Sequence, residues 1–210
     1  VTDWSALEGA AAALRRLNRL VGGHEVPDEL LGEITAAVDA LVARIGAAPV
    51  RDKRADMEAM MPDLRGGIAP VETPIGEPFA FDAMSVAGGR MSPSAPDFAV
   101  RRAGPNSAAA TVVADAMFQG PPDRIHGGVV AMLFDEVMGA TNRVSGNRGF
   151  TARLSVNYRA GAPIGRPVEF QAWVDSVEGR KIHVRAEARD GEVVFADAEA
   201  LFVTPRDGMF

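Results

Sequence analysis

His126-Gly127-Gly128 opens an apolar run, Val129–Phe134, that ends on a carboxylate, Asp135, eight residues after Gly127. A Pro/Gly-rich turn precedes it, so the pattern reads as a loop feeding a helix. The two glycines let a ligand approach backbone amides that still lack helical partners. Those N–H groups, at the positive end of the helix dipole, can polarise a carbonyl or hold an oxyanion. An acid on an otherwise apolar helix is costly unless it has a partner or a task. The combination points to a site that polarises a carbonyl and brings a base or nucleophile to it.

Within one helix, eight residues span about 12 Å of rise and about 80° of rotation. A carboxylate so far along can hardly serve an oxyanion held at its own helix N-terminus. The economical arrangement is a dimer, in which the Gly127 amide of one subunit works with Asp135 of the other.

The remaining sequence must position these groups. Residues 5–45 read as two helices: Leu7, Ala10, Ala11, Leu14, Leu17 and Val21 share one face, and Leu30, Leu31, Ile34, Val38, Leu41, Val42 and Ile45 another. Gly22-Gly23 ends the first, and Pro27-Asp28-Glu29 starts the second. Such a hairpin has too little core to stand alone and is expected to pack on the rest of the protein or on a second subunit. The stretch Arg51–Asp56 reads as a solvated helix face. Residues 62–96, with six prolines and five glycines, read as an irregular crossing segment.

From residue 97 the apolar period becomes two. Strands are expected at Phe98–Arg102 and Ala108–Met117, then a helix from Gly127 to Asn142 that is apolar nearly all round. Four further strands follow. Ala152, Leu154, Val156 and Tyr158 form one apolar phase, with Thr151, Asn157 and Arg159 on the polar phase; Val168–Val174, Ile182–Ala188 and Val193–Val203 supply the others. The expectation is an antiparallel meander wrapped around the helix. The organisation is an N-terminal helical extension (1–61), a connecting segment (62–96) and one α+β domain (97–205).

Composition narrows the function. Of 210 residues, 47% are hydrophobic and 24% charged, as in a globular protein, and the net charge of −6 argues against a nucleic-acid partner. There is no cysteine, which excludes disulfides, thiolate metal sites and cysteine nucleophiles. The three histidines lie far apart without metal-ligand spacing, so no metal and no cofactor are expected. No apolar run approaches the ~18 residues of a membrane span, and no secretory signal is read, so a cytoplasmic location is expected.

This order of elements resembles the hotdog-fold acyl-CoA thioesterases, in particular the PaaI-like branch that contains the carboxyl-terminal modulator protein. The matching stretches are Phe118-Gln119-Gly120-Pro121-Pro122, His126-Gly127-Gly128 with Asp135, Thr151 with Asn157-Tyr158-Arg159, and Val177-Glu178-Gly179-Arg180-Lys181. They cover roughly residues 95–205. The resemblance implies a hotdog fold, an antiparallel sheet wrapped around a central helix, in a homodimer or dimer of dimers with two shared sites.

The implied substrate is an acyl-CoA, of medium or long chain, hydrolysed to free acid and CoA. Asp135 is then general base or nucleophile, the Gly127 amide the oxyanion donor, and His126 a group that shapes the turn or donates to the oxygen. Thr151 would position water or the carboxylate. Gly128, Asn157, Arg159, Arg180 and Lys181 are the candidate CoA contacts, the basic residues holding phosphates. A neighbouring branch of the family carries asparagine where this chain has Gly120, beside Gln119, which leaves the second carbonyl donor open. Val129, Val130, Met132, Leu133, Phe134 and Met138 are candidates for an acyl tunnel, although a buried helix has the same composition. The structural alternative for Asp135 is an ion pair with Arg143 or Arg153. Competing functions are a catalytically silent acyl-CoA-binding or protein-interaction module and, third, a hotdog dehydratase, which would need a histidine after its aspartate.

Overall fold

In the computed structural model, the described residues are 4–60, 71–79 and 82–206. Helices α1 (Ser5–Gly23), α2 (Asp28–Gly46) and α3 (Lys53–Met60) precede strands β1 (Val100–Gly104) and β2 (Ser107–Val113). A short 3-10 turn (Ala116–Phe118) and helix α4 (Gly127–Val144) follow, then β3 (Phe150–Tyr158), β4 (Pro167–Glu178), β5 (Lys181–Asp190) and β6 (Val193–Val203).

All six strands form one antiparallel sheet in the order β1-β2-β4-β5-β6-β3. Only β4, β5 and β6 form a consecutive meander. The expected meander of all four later strands is therefore corrected: β3 pairs with β6 at the far edge, and the chain crosses from there back to β4 beside β2. Tight turns fix the β4–β5–β6 order, with Gly179 and Gly191 at φ 59° and 57°, a region that favours glycine. The longer connection after Tyr158 leaves β3 free to take the other edge.

The sheet face toward α4 is rich in alanine. Ala108, Ala110, Ala172, Ala186, Ala188, Ala196, Ala198 and Ala200 are all buried, and such small side chains let a helix approach the strands closely. Phe134 of α4 fills the remaining depth, meeting Phe170 edge-on at 5.1 Å, and Phe170 meets Phe195 at 6.0 Å. Val130, Leu133, Val137, Met138 and Val144 complete the buried arc of the helix.

The helix is not enclosed on every side, contrary to its nearly uniform apolar sequence. Gly128 and Asp135 are exposed, with Ala131, Met132 and Gly139 half-buried along the same stripe. Residues 82–96 contain no helix or strand, as expected, yet they are packed: Ala87, Met91, Ser92 and Ala95 are buried. That segment lies over the flank of α4 next to the open stripe, through Ser85 and Glu136.

The N-terminal helices do not form the expected hairpin. α1 docks through polar clamps: Arg15 donates to the Arg90 and Ser92 carbonyls at 2.9 and 2.7 Å, and Arg19 pairs with Asp97 and Asp115 at 2.6 and 3.0 Å. Its only buried residue is Ala11. α2 buries nothing, and Ile34 alone is half-buried. α3 takes in part of Arg51–Asp56 and begins with Asp52 capping the Arg54 and Ala55 amides at 3.0 and 3.1 Å.

Candidate active site

The turn before α4 is closed by its own backbone. The His126 N–H donates to the Phe118 carbonyl at 2.8 Å, the Gly120 N–H to Arg124 at 2.9 Å, and the Ile125 N–H to Ala162 at 2.9 Å. Asp123 adopts φ 60°, a left-handed conformation that acids tolerate better than most residues. A Cβ at Gly120 would sit 2.9 Å from the His126 Cα and 3.3 Å from its ring. No side chain fits there with this backbone, so position 120 offers no asparagine-like donor. The exposed Gln119 beside it is the remaining side-chain candidate.

His126 is the N-cap of α4, and its Nδ1 accepts from the Gly128 N–H at 3.0 Å. Two consequences follow. The Gly128 amide is already engaged, and a neutral His126 must carry its proton on Nε2, where it is free to donate. The Val129 and Val130 amides both turn back to the His126 carbonyl, at 2.9 and 3.1 Å. Gly127 thus supplies the first-turn amide available for an oxygen ligand.

Tyr158 fixes that first turn from below. Its hydroxyl donates to the Gly127 carbonyl at 2.7 Å, and its ring lies 3.5 Å from where a Gly127 Cβ would be. It is the only tyrosine in the chain. In the sequence it reads as one more apolar-phase residue of β3. The available signal was that this phase faces the helix whose first turn needs support.

At the other end of β3, Thr151 Oγ1 donates to Asp135 Oδ1 at 2.8 Å. The sequence assigns Thr151 to the polar phase, and the structure corrects this. The pairing with β6 shifts between Thr151 and Arg153, leaving Ala152 as an extra residue. That bulge turns Thr151 to the same face as Leu154, Val156 and Tyr158, opposite the buried Phe202. Asp135 therefore accepts a hydroxyl, and it is exposed rather than buried. The carboxylate beside it, Glu136, is the buried one, only 8% exposed, and accepts from Ser85 Oγ at 2.6 Å. Burial first, and then the nearby Asp82 and Asp135 charges, push its pKa up to about 7 against the opposing Ser85 hydrogen bond.

The CoA-contact candidates divide into two groups. Asn157 Nδ2 donates to Asp197 Oδ1 at 3.0 Å, and Arg159 pairs with the other oxygen of the same carboxylate. The Asn157 hydrogen bond, then that of Arg159, holds the Asp197 carboxyl below its usual range. This group sits at the Tyr158 end of β3, near Gly127. Arg180 and Lys181 lie at the opposite end of the sheet, where Lys181 pairs with Val203 and Val203 with Phe150. Arg180 Nε donates to the Thr204 carbonyl at 2.9 Å. So one chain places Asp135, Thr151, Arg180 and Lys181 toward one end and His126, Gly127, Asn157 and Arg159 toward the other.

Of the apolar helix residues, Val130, Leu133, Phe134 and Met138 belong to the chain's own core, leaving Val129 and Met132 half-buried. Among the described residues, no three His, Asp or Glu side chains lie close enough to hold a metal ion, and no helix is long and apolar enough to cross a membrane.

Known proteins show the same construction. The family model described as Thioesterase superfamily matches residues 123–195. Acyl-coenzyme A thioesterase THEM4 of Xenopus laevis is 33% identical over 87 residues, covering 40% of this chain and 39% of that protein. Acyl-coenzyme A thioesterase THEM5 of Homo sapiens is 29% identical over 87 residues, covering 40% and 35%. The aligned part thus spans well under half the length of either relative. The crystal structure of a thioesterase superfamily protein superposes with a TM-score of 0.74 at 27% identity, covering 96% of this chain and 92% of that one, N-terminal helices included. The six strands and α4 form a hotdog domain, and within it residues 123–195 match the thioesterase superfamily model.

Proposed function

We propose that the protein hydrolyses acyl-CoA thioesters as a homodimer with shared sites. The observation that carries this reading is the 2.8 Å Thr151–Asp135 hydrogen bond on the open stripe of α4, about 12 Å of helix away from the Gly127 amide. Asp135 and Thr151 of one subunit meet the thioester carbonyl held by Gly127 of the other. As general base, Asp135 takes a proton from water while the water oxygen attacks the carbonyl carbon. The oxyanion is held by the Gly127 N–H and by Nε2–H of His126. Collapse expels the CoA thiolate, which takes up the proton, leaving free acid and CoA. Attack by the Asp135 carboxylate itself would reach the same products through an anhydride.

The two-ended placement of the CoA candidates supports sharing. Pairing two chains brings Arg180 and Lys181 of one toward Asn157 and Arg159 of the other. β3 is an edge strand, with Phe150 and Tyr158 52% and 53% exposed, a natural surface for a second copy. The relatives are named acyl-coenzyme A thioesterases, which fits the substrate class. Chain length is assigned to medium or long acyl groups, with Val129 and Met132 as the apolar wall.

The test is release of free thiol from a panel of acyl-CoA lengths, with EDTA expected to leave the rate unchanged. Mixing two inactive variants, Asp135→Asn and one blocked at Gly127, should regenerate sites with both groups intact. A panel with no turnover removes the thioesterase reading. Verified subunit exchange without recovery removes the shared site.

A further inference from the structure

α2 presents an apolar face of which no residue is buried. Leu31, Ile34, Val38, Leu41 and Ile45 recur at alternating three- and four-residue steps, the spacing of a helix–helix seam. Leu41 is 50% exposed and Ile45 69%, and the flanking Leu30 and Val42 are 46% and 60%. Helices of this length owe most of their stability to packing of such a face, so the seam calls for a partner.

We infer that α2 is an assembly helix whose seam pairs antiparallel with α2 of a second copy of this chain. Three observations select that occupant. About Val38 the apolar positions largely match from both ends: Leu31 mirrors Ile45 and Ile34 mirrors the flanking Val42, while Leu41 mirrors Thr35. A two-fold interface requires such self-complementarity, since each residue meets its counterpart's opposite position. Every charged side chain of α2 (Asp28, Glu29, Glu33, Asp39 and Arg44) projects at least about 100° from the seam centre, so no like charges meet. With four acids and one arginine, the polar face also lacks the basic residues that a helix bound to an anionic membrane carries.

The third observation is where α2 leaves the body. A Cβ on Gly22, near the end of α1, would lie 3.6 Å from Met117, and the next residue, Phe118, accepts the His126 amide. α1 therefore ends, and the link to α2 begins, beside the turn that the shared-site reading sets against the partner subunit. This last point rests on that reading; the seam does not.

The absence of cysteine makes the test direct. Leu31→Cys and Ile45→Cys variants of the full chain are purified alone and co-expressed, then treated with a bismaleimide spanning about 10 Å, the separation of packed helices. Ala36→Cys, on the opposite face of α2, sets the collisional background. Cross-linked dimers well above that background are expected only in the co-expressed pair, and Val38→Glu in that pair should return them to background. Leu31→Cys cross-linking to itself would mean parallel helices, and background levels in the co-expressed pair would mean that α2 meets some other surface; either result overturns the inference. Circular dichroism confirms that each variant keeps its fold, which the exposure of α2 leads one to expect. The readout is independent of turnover, so an active enzyme without the cross-link would remove this inference and leave the thioesterase reading standing.

Discussion

Asp135 and Glu136 are neighbours on one helix and live in opposite environments. Asp135 faces the open stripe of α4 and accepts from the edge-strand hydroxyl of Thr151. Glu136, a hundred degrees round the helix, is covered by residues 82–96 and accepts from Ser85. The difference teaches what the open face is for. A carboxylate proposed to meet water and a thioester must be reachable, and Asp135 is exposed. Glu136, desolvated and pushed to about 7, is suited to staying protonated beneath a packed segment. Among the described residues the one buried acid attaches that segment, and the acid proposed to react lies on the surface that a second subunit could complete.

The sharpest way to break this comparison is to neutralise the exposed acid. Asp135→Asn keeps the shape and a hydrogen-bond acceptor for Thr151. It should lower kcat by at least about a hundredfold, the lower limit of what a positioned base contributes. Thermal unfolding should barely change, because the side chain is exposed. Near-normal turnover in the folded variant would make Asp135 a structural partner of Thr151 and nothing more.

Neutralising the covered acid should do the reverse. With a folded pKa of about 7 against an ordinary 4.5, Glu136 keeps its proton in the native state over a range where the unfolded chain has released it. The native state then binds more protons between these values, so stability falls as pH rises through that window. The penalty is absent below 4.5 and complete above 7. At about 1.4 kcal/mol per unit, it reaches at most about 3 kcal/mol. Glu136→Gln removes the titration. Its urea unfolding free energy should therefore gain on that of the parent between pH 4.5 and pH 8, with kcat little altered. Parallel pH profiles for the two proteins would show that the Glu136 carboxyl is not desolvated.

The sequence made the hotdog domain legible because its signals are local and periodic. The strand phases and the His126-Gly127-Gly128 helix start each depend on near neighbours. What stayed hidden depends on contacts distant in sequence. Periodicity cannot tell Asp135 from Glu136, since which is covered is decided by Ser85, some fifty residues earlier. The phase of Thr151 was misread because one extra residue, Ala152, is invisible to a strict period of two. Likewise, β3 taking the outer edge is a matter of chain crossover, which alternation does not encode. The apolar seam of α2 was readable, but that none of it is buried was not.

The smallest expected effect concerns how the open face holds its ligand. Arg180 and Lys181 stand at the sheet end that carries Thr151, on an exposed turn, and are proposed to hold CoA phosphates. Exposed charge pairs contribute up to about 1 kcal/mol each and are screened by salt. Replacing both by alanine should therefore raise KM for acyl-CoA roughly threefold to tenfold, with kcat nearly unchanged. A truncated thioester without the nucleotide never makes these contacts, and its kinetics should hardly move. The increase in KM should also shrink as salt is raised, because the parent loses the same attraction by screening. Equal losses on the full and truncated substrates would assign the pair to the fold, through the Arg180 bond to the Thr204 carbonyl. The CoA phosphates would then be sought at Asn157 and Arg159. There, the Asp197 carboxylate already occupies both side chains, so a phosphate would have to displace one anion with another.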